Sequence, residues 1–279
     1  MEKVQRLVIT GASGSVGSQT TLRMAQEGYS VIMACRNLAK GEDIRQSILE
    51  KVPNASIEVR RLDLEKLESV ADFVKGLKED NIEVVKLFNN AAVISRKYGL
   101  SCNGFEKTMA VNYFGPALLS MMLAPDMPAD GEIVNMVSLT CGLTSIHKNL
   151  FELEEKDFSQ LGTYSKTKLA LLLFSIELSK HIRQRVNVSD PGIVNSNMLV
   201  MGHWYDSLAD IIFRPFTASP KKGARSAINA LNSKDVRLQY FKGNRFKPIK
   251  KKYTTHPLSE WLWTETIDQL TSKGFPVQL

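Results

Sequence analysis

The sequence predicts a doubly wound α/β domain, in which helices cover both faces of a largely parallel sheet. Short apolar runs rich in β-branched residues alternate with amphipathic helical patterns over about the first 190 residues. A glycine-rich turn directly follows the first of these runs. Strand–helix–strand units of this kind connect by right-handed crossovers, so the sheet is expected to be parallel, with functional residues beyond the carboxyl ends of its strands.

Each element follows from a local pattern. Strands are predicted at 6–10, 30–35, 57–62, 84–89, 132–137 and 185–190. Helices are predicted at 15–28, 38–51, 65–79, 103–124, 162–183, 220–231 and near 257–273. The whole chain, 1–279, is interpreted as a single domain with a C-terminal extension at 232–279 and a helical tail.

The composition is that of an ordinary globular protein, with 43% hydrophobic and 23% charged residues. No apolar run reaches 18 residues and no signal peptide is recognisable, so we expect no membrane span and a cytoplasmic location. Cys35, Cys102 and Cys141 show no paired spacing, and the four histidines are scattered. We therefore predict neither a disulfide framework nor a metal site.

The net charge of +7 is concentrated in one segment. Residues 237–253 contain seven lysines and arginines and no acid. A nucleic-acid or membrane surface is one interpretation of such a segment. We favour a solvated loop that assists an anionic cofactor or substrate, and we expect no nucleic-acid partner.

The glycine-rich turn predicts a dinucleotide site of the Rossmann type. Glycines allow a tight turn and close approach of the backbone to a pyrophosphate, and the following helix offers free N–H groups and a positive dipole. The turn lies between a predicted strand and a predicted helix, as this motif requires. Its candidate cofactor-binding residues are Gly11, Ser13, Ser15, Val16 and Gly17.

The end of the second strand favours NADP(H) over NAD(H). An acid at this point would bind the ribose of NAD and repel a 2′-phosphate. The sequence has Arg36 and Asn37 instead, and a guanidinium pairs well with phosphate. After the third strand, Asp63, followed by Leu64, accepts a hydrogen bond from the adenine or caps the next helix.

Further motifs follow the later strands in order. They are Asn89-Asn90-Ala91-Ala92, Asn112, Ser138, Tyr164-Ser165-Lys166-Thr167-Lys168 and Pro191-Gly192, with Ser196 beyond. With these motifs the chain resembles the short-chain dehydrogenase/reductase family from about residue 4 to 196. The resemblance extends to its NADP(H)-dependent retinol dehydrogenase and protochlorophyllide reductase members, because 26 positions separate Ser138 from Tyr164 and a Cys-Arg pair follows strand two.

Two features depart from the family's short branch. Ser15 and Ala92 stand where that branch has glycines. The spacing of Gly11, Gly14 and Gly17 matches the extended branch of sugar-nucleotide enzymes, but only 87 residues follow Gly192, too few for the large substrate lobe of that branch.

The resemblance implies an oxidoreductase in which Asn112, Ser138, Tyr164 and Lys168 are catalytic. Tyr164 would carry the proton, and Lys168, one helical turn away, would lower the pKa of the phenol together with the charge of the oxidised nicotinamide. Ser138 would bind the substrate oxygen. Asn112 would hold a water in a proton path, or merely bridge backbone groups. The implied cofactor-binding set adds Asn90, Ala91, Ala92, Tyr164, Lys168, Pro191, Gly192, Val194 and Ser196.

The substrate is expected to be a small hydrophobic ketone, aldehyde or alcohol. The stretch 193–218, rich in methionines and aromatics, is predicted to be a substrate lid, with a packed helix as the alternative. The segment 139–163, with Leu143, Ile146, Leu150 and Phe151, is expected to form another pocket wall.

The rival hypothesis is a non-catalytic NADP(H) sensor or scaffold. The family implies a homodimer or homotetramer through 103–124 and 162–183, unless the C-terminal tail blocks that surface.

Overall fold

A computed structural model describes residues 5–192, 219–277 and 279. These residues form an eight-stranded sheet in the order β3-β2-β1-β4-β5-β6-β7-β8, in which only β8 is antiparallel to its neighbour. The strands are β1 (Arg6–Thr10), β2 (Ser30–Cys35), β3 (Ile57–Arg61), β4 (Val84–Asn89), β5 (Glu132–Met136), β6 (Arg185–Asp190), β7 (Gln239–Lys242) and β8 (Arg245–Pro248).

The central strands are buried on both faces, which explains why they are near-continuous apolar runs. The six predicted strands are confirmed, with bounds that differ by at most one residue. The direction in which successive strands are added reverses between β1 and β4. The strands β1 to β3 extend the sheet toward one edge, and β4 to β8 extend it toward the other. A ligand crevice is expected at that switch point.

Helices cover both faces of the sheet. They are α1 (Ser15–Gln26), α2 (Leu38–Leu49), α3 (Leu67–Glu79), α4 (Lys107–Met109), α5 (Gly115–Leu123), α6 (Gln160–His181), α7 (Pro220–Leu231), α8 (Lys251–Thr254) and α9 (Ser259–Ser272). The helix predicted at 103–124 is different: it begins at Lys107, where the Glu106 carboxylate accepts the Met109 N–H at 2.9 Å, and it has a π-helical segment at Ala110–Phe114. The residues before Glu106 form a turn closed by the Leu100–Glu106 bridge.

The basic segment 237–253 is a hairpin, so the prediction of a solvated loop is wrong for β7 and β8. Lys242 pairs with Arg245 across a turn in which Gly243 has a φ of +56°. Positive φ at this position is what a two-residue hairpin turn requires. Phe241, buried next to β6, anchors the hairpin to the sheet.

The C-terminal helix belongs to the hydrophobic core. α9 packs on α6, where Trp263 stacks on Phe174 at a centroid distance of 5.7 Å and on His181 at 4.3 Å. The buried Tyr113 hydroxyl hydrogen-bonds with Thr266 at 2.6 Å. The predicted helical tail is thus tied both to α6 and to the π-helical segment.

Candidate active site

A cavity of about 820 Å³ lies at the carboxyl ends of the parallel strands. It runs from the glycine turn between β1 and α1 to the first two turns of α6. Most of the predicted site residues line it: Gly11, Ser13, Ser15, Val16, Gly17, Arg36, Asn37, Asp63, Leu64, Asn90, Ala91, Ala92, Ser138, Tyr164, Lys168, Pro191 and Gly192. Val194, Ser196 and the predicted lid at 193–218 lie outside the described residues.

The glycine turn is packed so tightly that Gly11 and Gly17 have no room for a side chain. Gly11 has a φ of +60°, and a Cβ there would lie 2.9 Å from the Cα of Ala91. A Cβ on Gly17 would lie 2.5 Å from the Gly11 carbonyl oxygen. The Asn90 amide donates to the Thr10 carbonyl oxygen at 2.8 Å, and the Thr10 hydroxyl accepts the Ala91 N–H at 3.0 Å. These contacts fix the turn against the loop after β4.

Two basic side chains stand at the end of the cavity near β2. Arg36 and Lys40 are both exposed and line the cavity, and Asn37 between them caps α2 by accepting the Lys40 N–H at 3.0 Å. The sequence reasoning missed Lys40. A basic residue in the first turn of the helix after Arg36 was the signal that would have identified it.

Tyr164, Ser138 and Lys168 line the same cavity. The Ser138 side chain lies close enough to the Tyr164 phenol to act on it and lower its pKa. The Lys168 Nζ lies 5.9 Å from the centroid of the Tyr164 ring and donates to the Met136 carbonyl oxygen at 2.8 Å. Tyr164 and Lys168 face the same cavity because four residues make about one turn of α6. Ser138 reaches them because it follows β5 and its hydroxyl caps the 3₁₀ turn Leu139–Leu143, accepting the Thr140 N–H.

Burial shifts the pKa of both Tyr164 and Lys168. It raises the pKa of Tyr164 to about 12, and the Ser138 side chain opposes this rise only in part. Burial also lowers the pKa of Lys168 to about 8, because enclosure removes the charged form of each group from water. A lowering of the Tyr164 pKa by Lys168 together with the charge of an oxidised nicotinamide stays a prediction.

Asn112 does not line this cavity. Its amide donates to the Val93 carbonyl oxygen at 2.9 Å and to the Thr167 hydroxyl at 3.2 Å, and its oxygen accepts the Val93 N–H at 2.8 Å. This is the bridging arrangement that the sequence left open. A part for Asn112 in a proton path stays a prediction.

Asp63 does not cap the helix that follows it. The helix α3 begins at Leu67 and its capping position is Lys66. The Asp63 carboxylate instead accepts the Glu65 N–H at 3.2 Å within the turn between β3 and α3. Asp63 also lines the cavity, and its acceptance of a hydrogen bond from an adenine stays a prediction.

The predicted second wall is wrong for its four named residues. Leu143 is 79% exposed, Ile146 and Leu150 are buried in the core, and Phe151 packs against that core. Three other residues of the predicted segment 139–163 do line the cavity: Leu139, Thr140 and Leu161. Among the residues that the sequence reasoning missed, Val93, Ile94, Val111 and Met136 line it as well.

Asp190, at the end of β6, joins the cavity to the C-terminal hairpin. One carboxylate oxygen accepts the Gly192 N–H at 2.8 Å, and the other accepts the Tyr240 hydroxyl at 2.7 Å. Asp190 is 1% exposed. The hairpin thereby holds in place the Pro191-Gly192 turn, which lines the cavity.

The described part of the chain holds neither a cluster of metal ligands nor a membrane-spanning helix. In that part of the chain, no group of three His, Cys, Asp or Glu side chains is arranged to hold a metal ion. None of its helices combines the length and the apolar character needed to cross a membrane.

The chain is similar in sequence to a family of known proteins. The family model for short chain dehydrogenases matches residues 5–202. Human retinol dehydrogenase 11 is 29% identical over 97% of this chain and 86% of its own length. Bovine (Bos taurus) retinol dehydrogenase 12 is 30% identical over 95% of this chain and 85% of its own length.

A solved structure shares the fold over nearly the whole chain. An uncharacterised protein from Mycobacterium paratuberculosis covers 99% of this chain and 95% of its own, with 24% identity and a TM-score of 0.78. The family match, the sheet order and the convergence of Tyr164, Lys168 and Ser138 beside a glycine turn agree, and the chain belongs to the short-chain dehydrogenase family.

Proposed function

We propose that this protein reduces a hydrophobic ketone or aldehyde with NADPH, or oxidises the corresponding alcohol with NADP⁺, and that Tyr164 donates or accepts the proton. One observation carries the proposal. Tyr164, Ser138 and Lys168 line the same cavity as the glycine turn, with the Lys168 Nζ 5.9 Å from the centroid of the Tyr164 ring.

The residues around the cavity fit a phosphorylated dinucleotide. The close packing at Gly11 and Gly17 leaves the backbone itself as the lining of the turn, and the first N–H groups of α1 are free for a pyrophosphate. Arg36 and Lys40 supply two cations at the far end, where a 2′-phosphate would lie. Bound there, NADP(H) would supply or accept the hydride.

The side chains can carry out the proton transfer that accompanies reduction. Hydride addition to a carbonyl puts negative charge on its oxygen, and a proton donor must then lie within hydrogen-bond distance. Because burial raises the pKa of Tyr164 to about 12, the phenol holds its proton at neutral pH, as a donor must. Ser138 would donate a second hydrogen bond to the same oxygen.

The substrate class is inferred from relatives and from the lining. The name retinol dehydrogenase, carried by the relatives above, describes action on a hydrophobic alcohol. Apolar side chains that include Val93, Ile94 and Leu161 also line this cavity. Both observations support a substrate with an apolar body.

The experiment that tests the proposal is a panel of hydrophobic aldehydes and ketones, followed by the absorbance of NADPH and repeated with NADH. We expect turnover with at least one aldehyde or ketone and a preference for NADPH. Cofactor binding with no turnover across the panel would instead support the non-catalytic sensor.

Tyr164→Phe tests the proton carrier. We expect kcat to fall by about 10²- to 10⁴-fold with little change in NADPH affinity, because the ring remains and only the hydroxyl is lost. Tyr113→Phe is the control, since it also removes a tyrosine hydroxyl, one that is buried and bonds with Thr266 outside the cavity. Wild-type turnover in Tyr164→Phe would refute the assignment.

A further inference from the structure

A second cavity, of about 260 Å³, adjoins the proposed catalytic serine. It shares Ser138 and Leu139 with the first cavity and includes none of the glycine-turn residues. It lies between the 3₁₀ turn after β5, the end of β6, the β7–β8 hairpin and α8. Ser138 and Leu139 therefore border both cavities.

Four lysines line this second cavity, here named the lysine cavity: Lys242, Lys247, Lys250 and Lys252. The acid that faces them is Asp190, whose two oxygens already accept the Gly192 N–H and the Tyr240 hydroxyl. Lys242 lies 4.0 Å from it. Within the described part of the chain, the other three lysines have no acidic partner.

The fold holds the lysines on the side of the cavity. In the hairpin register Lys247 is opposite Tyr240, and Lys242 follows Tyr240 by two residues, so the three share one face of the sheet. Phe241 is buried on the opposite face and packs against Phe246 at a centroid distance of 5.2 Å. Reversing the two faces of the hairpin would expose the buried Phe241 ring.

The remaining wall is made of groups suited to an organic body. Leu139, Cys141, Leu172 and Pro248 contribute apolar surface. The hydroxyl of Tyr253 also approaches the cavity, 3.6 Å from the position of a Cβ on Gly142. A space with apolar walls and an excess of cations matches an apolar molecule that ends in an anion.

From this geometry we infer that the substrate carries an anionic group, a carboxylate or a phosphate, which the lysine cavity binds while the carbonyl lies at Ser138 and Tyr164. The inference rests on the proposed function, because the same serine borders both cavities. It adds that the hydrophobic carbonyl compound is an acid, held at its charged end by the C-terminal hairpin and α8.

The experiment compares three aldehydes of similar size: 4-formylbenzoate, its neutral methyl ester and 4-formylphenyl phosphate. The double variant Lys250→Gln/Lys252→Gln removes two cations from the cavity. Lys251→Gln is the matched control, because Lys251 is exposed in the same segment but does not line the cavity. Thermal unfolding of all variants checks that they remain folded.

We expect the wild type to prefer an anionic aldehyde over the ester in kcat/KM by about tenfold or more. This preference should fall by about tenfold in the double variant, remain in Lys251→Gln and weaken with added salt. The comparison of benzoate with phosphate identifies which anion the cavity binds better. An unchanged preference in the double variant, or a wild type that prefers the ester, would overturn the inference and leave the proposed function standing.

A binding measurement separates the two proposals if no turnover is seen. Calorimetric titration of 4-formylbenzoate into Tyr164→Phe with NADP⁺ present measures binding in the absence of chemistry. Weaker binding after Lys250→Gln/Lys252→Gln is added to that variant supports the lysine cavity, and equal binding refutes it. The absence of turnover with every carbonyl counts against the proposed function alone.

Discussion

Lys168 lies fully buried, and the charge it bears at neutral pH costs the folded protein free energy. Burial lowers the pKa of Lys168 from 10.5 to about 8, so the unfolded chain binds this proton more tightly. Between about pH 8 and pH 10.5 the unfolded state holds the proton and the folded state has lost it. The contribution of Lys168 to the free energy of unfolding therefore rises with pH across that window.

Lys168→Met is expected to abolish turnover and to stabilise the protein at pH 7. The pKa difference means that the buried charge lowers the free energy of unfolding by about 3 kcal/mol, which the substitution would restore. Loss of the hydrogen bond to the Met136 carbonyl would lower it again by about 1 kcal/mol. The net gain of about 2 kcal/mol should shrink as pH rises above 8. Urea unfolding of the cofactor-free protein at pH 7 and pH 10 measures it.

The control is Lys166→Met, which changes a partly exposed lysine on the same helix. We expect its free energy of unfolding to stay close to that of the wild type at both pH values. A Lys168→Met variant that is less stable than the wild type at pH 7 would show that burial of the ammonium is not costly here.

Arg36 and Lys40 determine the expected choice of cofactor. Replacing both with alanine should raise the KM for NADPH by about tenfold to a hundredfold and change the KM for NADH little, because only NADPH has the 2′-phosphate. Steady-state kinetics with both cofactors test this. Lys51→Ala, an exposed lysine beyond the other end of α2, is the control. An equal effect on both cofactors would contradict the placement of the phosphate.

At the scale of elements, the glycine turn is rigid because its backbone atoms pack closely against one another. Gly17→Ala would bring a Cβ to 2.5 Å from the Gly11 carbonyl oxygen, a backbone atom that cannot move without distorting the turn. We expect NADPH affinity, measured by fluorescence titration, to fall by about tenfold or more.

Gly28→Ala provides the comparison. Gly28 has a φ of +87° with open space around it, so an alanine there is strained but meets no neighbour. It should lower the free energy of unfolding by about 1 kcal/mol and leave NADPH affinity unchanged. Equal affinities in the two variants would show that the turn tolerates a side chain.

Elements whose residues carry a regular pattern were predictable from the sequence, and those defined by tertiary contacts were not. β1 to β6 are apolar runs between turn residues, and the site residues follow them in order. β7 and β8 were not predicted, because they are short, rich in lysine and arginine, and lack the apolar pattern of a buried strand. The Gly243-Asn244 pair between them is nevertheless a hairpin signal. The raised pKa of Tyr164 depends on enclosure from several elements, which no local pattern reveals.

At the scale of the whole molecule, α9 stabilises the side of the fold that contains α6. Trp263 is 8% exposed and packs on α6, the helix of Tyr164 and Lys168. Trp263→Ala should reduce the free energy of unfolding by about 3 kcal/mol, because a large cavity would open beside Phe174. Denaturant unfolding tests this, with Thr264→Ala, an exposed neighbour, as the control. Equal stability of the two variants would mean that α9 is only a surface appendage.

The charged hairpin also has a consequence for how copies of this chain can associate. An open sheet edge ordinarily invites pairing with a strand of another molecule. β8 is exposed along its length, bears Arg245 and Lys247, and ends in Pro248, whose nitrogen has no hydrogen to donate. Two such edges brought together would set cation against cation. We therefore expect the sheet to end at this strand in every assembly, with any contact between copies made by other surfaces.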